Sequence, residues 1–256
     1  MFYKELYDMR LRVIILFVIM IAGLIFLVSA RPIAVSMMEE MYKDFDQMPE
    51  ALQKLLGDPA AVQRLSDDSY YITSQWQGNN LGQFIPIIVL LIAFPIFSRE
   101  TDKGTIFFLL SRKSRSAVYW NKAIAGLVMA LCIVLVLSLL GPVFMKVGGY
   151  DATFSETFLI MVHQVISVSV LYFLFLIFSI LFNDQIKPVM TGIAVVLAMP
   201  FASLIDSLSF VNLYPYIMGS EILETGRIDW TYSIVLSLLA VGLLLISHRL
   251  FKRKEF

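Results

Sequence analysis

One cysteine and two histidines in 256 residues leave this chain nearly bare of the side chains that form disulfides and soft-metal sites. Cys132 stands alone inside an apolar run, which excludes an intramolecular disulfide and supplies no metal-ligand spacing. It reads as a packed apolar residue without a role of its own. An intramembrane protease or lipid-modifying enzyme needs paired acids, a histidine pair or a Ser–His arrangement at depth. His163 in one apolar run and His248 at the edge of another do not supply that. The sequence also has no Gly-x-x-x-x-Gly-Lys-Ser/Thr run, so the chain cannot cradle nucleotide phosphates and is expected to be non-catalytic, with no cofactor of its own.

Charge is the other scarcity. Asp, Glu, Lys and Arg make up 16% of the chain, and none falls inside its six apolar stretches. Ion-coupled secondary transporters normally bury such groups although each costs about 2.5–3.5 kcal/mol. Energy for any transport is therefore expected from another polypeptide.

What the chain does have is length in its apolar runs. Hydrophobic residues reach 59% and mean hydropathy is +0.79, outside the balance of a soluble domain. The runs fall at Val13–Val28, Phe84–Phe97, Ala123–Val143, Phe158–Phe182, Val189–Ile205 and Ile234–Ser247. A bilayer core takes about 20 apolar residues per helix and tolerates no unsatisfied backbone. The expected fold is an all-α integral membrane protein with six transmembrane helices in one transmembrane domain over 1–256. Pro86 and Pro95 predict a kink in the second span and Pro200 another in the fifth. Residues 1–30 imitate a secretory signal, ending Val28-Ser29-Ala30. The run is too long and Glu5 and Asp8 sit in its head, so it reads as a retained first helix.

Charge sets the orientation. With the N-terminus inside, the inner segments hold Lys4, Arg10, Arg12, Arg99, Lys103, Arg112, Lys113, Arg115, Lys122, Lys187, Arg249, Lys252, Arg253 and Lys254. The outer ones hold Arg31, Lys43, Lys54, Arg64, Lys146 and Arg227. That bias predicts cytoplasmic N- and C-termini in a cell membrane. The acids run the opposite way, so a formal net charge of zero conceals a basic inner face and an acidic outer one. An anionic inner leaflet accounts for the basic face, and no nucleic-acid partner follows from it. Trp230 and Tyr232 fit an interfacial aromatic belt at the outer end of the last span.

Segments 29–83 and 206–232 are the expected outer loops. In the first, Met38, Met41, Tyr42 and Phe45 recur at helical spacing, Pro49 opens a turn with Leu52, Leu55 and Leu56 closed by Gly57, and Asp58-Pro59 starts another. These predict amphipathic outer-loop helices lying on the membrane. Met37, Met38, Met41 and Met48 suit Cu(I) in principle, but no His or Cys accompanies them and they read as apolar filler. His163, beside Gln164, is expected to make a headgroup-level or interhelical hydrogen bond, Asp206 to be solvated, and Ser138 or Thr191 to bond between helices.

The inner segment 98–122 is richer. Ser98-Arg99-Glu100-Thr101-Asp102-Lys103-Gly104-Thr105 leads into apolar Ile106–Leu110, then Ser111-Arg112-Lys113-Ser114-Arg115 precedes the third span. Gly104 permits a sharp exit turn, Thr105–Leu110 predicts one or two helical turns along the inner face, and Ser114 is placed to cap the helix that follows.

This pattern resembles that of ABC transporter permeases of the second, exporter-associated (ABC-2) type. Glu100, Gly104, Thr105, Leu109, Leu110, Ser111, Arg112, Ser114, Arg115 and Lys122 occupy matching positions, while Lys113 stands where the family commonly has Pro. Lys4-Glu5-Leu6 ahead of the first span, and Leu213-Tyr214-Pro215-Tyr216 with Gly226 near the last, fit as well. The resemblance covers essentially the whole chain. It implies a dimerising permease, homo- or heterodimeric, in contact with lipid and with a cytoplasmic ABC ATPase subunit that carries ATP and Mg2+. It makes Glu100–Arg115 a cytoplasmic coupling helix region and residues 1–12 an amphipathic helix at the same contact. ATPase-coupling residues are then Glu100, Gly104, Thr105, Leu109, Leu110, Arg112, Arg115 and Lys122. An ion-coupled secondary transporter or channel subunit is the alternative. The cargo is not written in the uniformly apolar spans.

Overall fold

The computed structural model describes residues 2–42 and 64–255, and their regular structure is helical throughout. Six helices are long and apolar enough to cross a membrane. The chain is thus a multi-pass helical bundle, as its apolar runs require.

The first helix, α1 (Phe2–Tyr42), has 41 residues, about 60 Å at 1.5 Å each and twice the hydrocarbon thickness. The N-terminal residues expected as an amphipathic helix run into the first span without a break, because no helix breaker lies between them and the apolar run. The helix also runs past the expected end at Val28. Pro32 removes just one backbone donor, and Arg31 ties this part of the helix to Asp68 at 2.5 Å and to the Ser66 carbonyl at 2.9 Å. A narrow stripe of Glu5, Met9, Met20, Leu24 and Val28 is buried against the third long helix. The expectations for Phe45, Pro49, Leu52, Leu55, Leu56, Gly57, Asp58, Pro59 and Met48 lie outside the described residues, as do the side chains of Met41, Tyr42 and Asp206.

The second crossing is composite. It comprises α2 (Asp68–Tyr71), a π-helical stretch Ile72–Gly82, α3 (Gln83–Ala93) and α4 (Pro95–Asp102). A π-helix of 11 residues is long for a form that mostly appears as single turns. Its sequence, ITSQWQGNNLG, is poor in strong α-formers. One tertiary bond and one local bond hold it: Trp76 Nε1 donates to the Leu137 carbonyl at 2.8 Å, and within the stretch Asn80 Nδ2 donates to the Gln75 carbonyl at 2.6 Å. The backbone at Phe94 stays helical in φ and ψ, so Pro95 interrupts the hydrogen-bond ladder without reversing the chain. Ser179 from the facing helix fills that gap. Its Oγ accepts from Phe97 N at 3.0 Å and Ser98 N at 3.1 Å and donates to the Phe94 carbonyl at 2.5 Å.

Beyond these come α5 (Thr105–Arg112), α6 (Arg115–Val147), α7 (Ser155–Leu181) and α8 (Ile186–Phe201). Short 3-10 turns at Ala202–Leu204 and Asp206–Val211 lead to α9 (Tyr214–Ile217), α10 (Ser220–Thr225) and the last long helix, α11 (Trp230–Arg253). Pro200 stands at the close of α8, one residue before its last. Segment 98–122 is helical on both sides of two tight turns, and Thr105–Leu110 forms the helical turns that its sequence predicts.

The second and fourth crossings form the centre. In their most apolar windows 72% and 67% of residues are buried, against 17% in the first and 22% in the fifth and sixth. The peripheral helices thus turn Leu11, Ile14, Val18, Phe26, Leu197 and Leu238 outward, a surface that demands lipid or another apolar partner. Cys132 lies on such a face of α6 and is exposed, contrary to its expected packing. The interhelical bond expected of Ser138 is present: its Oγ donates to Gln164 Oε1 at 2.5 Å. His163 is buried, but neither ring nitrogen makes a hydrogen bond, and its ring stacks on Tyr216 instead.

Candidate functional site

Both chain termini meet at one end of the bundle, together with the exit of α4, all of α5 and the start of α6. Gly104 adopts φ +69°, a left-handed conformation that side chains disfavour. This turn swings the chain from α4 into α5 as its sequence predicts. On α5, Ile106 is fully buried and anchors the helix, and Leu109 and Leu110 are half-buried against the core. The opposite face carries Phe107 and Phe108, 57% and 58% exposed, with the Arg112 guanidinium 4.1 Å over the Phe108 ring. Lys113 is extended, which ends α5, and Ser114 Oγ accepts from Ala117 N at 3.3 Å to cap α6.

Beneath this helix lies a buried ion cluster. Lys122 Nζ donates to Glu5 Oε1 at 2.7 Å and to Glu100 Oε1 at 3.2 Å, with the lysine side chain at 0% exposure. Glu100 also accepts from the Thr105 hydroxyl and so is joined to the first residue of α5. Three helices and the root of α5 are thereby fastened at one point. A second pair, Arg99 to Asp8 at 3.1 Å, reinforces α1 against α4 in a more open position. Buried pairs contribute little net stability, but removing one member strands a charge.

The C-terminus closes the other side. Arg115 Nη1 donates to the Lys252 carbonyl at 3.2 Å and the Lys254 carbonyl at 2.5 Å. Lys254 Nζ in turn donates to the Ile180 carbonyl at 2.5 Å and the Phe182 carbonyl at 3.3 Å. Burial pulls the Lys254 ammonium below its ordinary pKa. An aromatic cluster of Phe97, Tyr119 and Phe251 packs between, and Tyr119 Oη lies 2.5 Å from Ser247 Oγ.

The eight residues singled out from sequence therefore divide. Gly104, Thr105 and Arg112 sit on the outward surface, Leu109 and Leu110 are half-buried, and Arg115 is half-buried against the C-terminus. Glu100 and Lys122 are interior, where they brace the region instead of presenting charge to the solvent. Sequence reasoning missed Glu5 as their partner, although the position shares a helical face with buried Met9, four residues on. It also passed over the Phe107–Phe108 pair, whose adjacency guarantees that an amphipathic helix cannot hide both easily.

Six apolar helices in one bundle are those of a multi-pass membrane protein. Within that class the chain belongs to the family described as a protein of unknown function, DUF2705, whose profile matches residues 61–256. No curated protein and no solved structure matches the chain.

Proposed function

We propose that the chain is the membrane-spanning, non-catalytic subunit of an ATP-driven transporter of the exporter-associated ABC-2 type, set in the cell membrane with both termini cytoplasmic. In this reading α5 is the coupling helix, and a separate cytoplasmic ABC ATPase carrying ATP and Mg2+ receives it. A second permease copy, identical or different, completes the dimer, with lipid around it. The carrying observation is the exposed Phe107–Phe108 pair on a short helix whose root is clamped by Glu100, Lys122 and Glu5. Aromatic anchors beside an arginine suit the centre of a protein interface. The clamp supports transmission: displacement of α5 would act on α1, α4 and α6 together, since Glu100 and Thr105 link its first turn to all three.

Co-expression with candidate cytoplasmic ABC ATPases from the same cell tests the reading. Phe107→Ala/Phe108→Ala is expected to fold and insert normally, since both rings are exposed, and to lose ATPase capture. Capture at full strength by this variant overturns the assignment of α5.

The ion-coupled alternative gains one observation, the fully buried Lys122 between two carboxylates. Its place is about 10 Å along α6 from Arg115, near a bilayer edge, where a structural clamp is the simpler role. Solute accumulation driven by a proton gradient in proteoliposomes of the chain alone would favour the alternative.

A further inference from the structure

At the end of the bundle away from the termini, a cavity of about 560 Å³ opens between α7, the 206–225 arm and the start of α11. We propose that this cavity binds a small organic cation, held by tyrosine faces and a ring of carboxylates. The proposal does not depend on the permease reading, because the site is complete without any ATPase at the other end.

Charge is the first argument. Glu221, Glu224 and Asp229 line the cavity, and among the described residues no lysine or arginine does. Asp229 is fixed as the cap of α11, accepting from Tyr232 N at 2.9 Å. An anion would be repelled, and a neutral ligand would draw nothing from three carboxylates.

The aromatic walls select the kind of cation. Tyr216 is stacked at 3.9 Å and 18° on His163, and Tyr232 meets Tyr216 edge-on at 5.2 Å and 76°. Both phenols are tied down: Tyr216 Oη lies 2.7 Å from Ser233 Oγ, and Tyr232 donates to the Phe210 carbonyl at 2.6 Å. Burial pushes the Tyr216 phenol up to about 12, so its ring stays neutral. Fixed neutral rings beside carboxylates form the environment that attracts diffuse organic cations. A metal ion is a poorer fit, since among the described residues no three His, Cys, Asp or Glu side chains converge to hold one.

His163 marks the site as unfinished. It is 1% exposed and lines the cavity, and neither ring nitrogen completes a hydrogen bond. A buried imidazole of this kind normally has a partner. A ligand donor or its water would provide one. The volume lies within the usual range for small-molecule sites.

The test uses the full chain in phosphatidylcholine nanodiscs with radiolabelled tetraphenylphosphonium, and with triphenylphosphine oxide as an uncharged probe of similar shape. Saturable binding of the phosphonium is expected, weakened about tenfold in E221Q/E224Q and weakened also in H163L. Both glutamates are exposed, so their variant reports binding even where H163L folds poorly. Phe107→Ala/Phe108→Ala should bind as the unaltered chain does, which separates failure here from failure of the ATPase assignment. Equal binding by the unaltered chain and E221Q/E224Q, displacement by triphenylphosphine oxide as strong as by unlabelled phosphonium, or no saturable binding would each overturn the proposal.

Discussion

Lys122 reaches Glu5 at 2.7 Å across 117 positions of sequence, joining α6 to the first turns of α1. The lysine is the sole cation in contact with Glu5 and Glu100 among the described ion pairs. Lys122→Met therefore leaves two buried carboxylates facing each other without compensation, at a cost of about 3–5 kcal/mol. The triple variant Lys122→Met/Glu5→Gln/Glu100→Gln removes the stranded charge and should recover much of that loss. Thermal unfolding in detergent checks both. Equal melting of the single variant and the unaltered chain would show that water reaches the cluster.

Ser179 predicts a second effect of burial. Its hydroxyl serves Phe97 N, Ser98 N and the Phe94 carbonyl at once, in the gap that Pro95 opens. Ser179→Ala deletes one oxygen and leaves buried backbone donors unmet, a loss of about 1–3 kcal/mol. Adding Pro95→Ala restores a backbone donor and permits the ladder to close, so the double variant should melt above Ser179→Ala alone. Melting at or below the single variant would count against the gap-filling role.

Two glycines should respond in opposite senses to the same methyl group. A Cβ on Gly126 of α6 would collide with the Ile96 side chain and the Tyr172 hydroxyl, and Tyr172 is held by its bond to the Ala123 carbonyl at 2.8 Å. Gly126→Ala should destabilise by about 1–3 kcal/mol through overpacking. Gly242 of α11 has nothing within 4 Å of the added atom. Gly242→Ala should be neutral or gain about 0.5–1 kcal/mol from reduced backbone freedom. Paired melting curves decide; a loss at Gly242 would reveal a close neighbour there, such as a second copy.

The legible part of this fold is what the bilayer dictates. Six apolar runs forecast six crossings because a membrane leaves an apolar segment no other state. Gly104 and Ser114 were readable because their roles are local: one backbone angle and one cap. Helix ends were not, since α1 continues beyond the lipid wherever packing and the Arg31–Asp68 pair support it. The π-helical stretch also escaped notice, because its stabilising bond from Trp76 lies with Leu137, 61 positions away. At the candidate site the residue types were visible but not their sides: Glu100 and Lys122 look alike to Arg112 in sequence, and only the approach of Glu5 turns them inward.

Cys132 offers a direct reading of what surrounds the bundle. It is the single cysteine of the chain and is exposed on α6, about 25 Å from either helix end at 1.5 Å per residue. That depth places it near the middle of a hydrocarbon core about 30 Å thick. Pyrene maleimide attached in detergent and carried into liposomes should be quenched by nitroxides on the lipid acyl chains and left bright by aqueous iodide. Iodide quenching would place water, hence a conduit, on a face that α6 turns outward. Protection from both quenchers would instead put a second copy of the chain against α6, because an exposed apolar face at that depth has lipid, water or protein as its only neighbours.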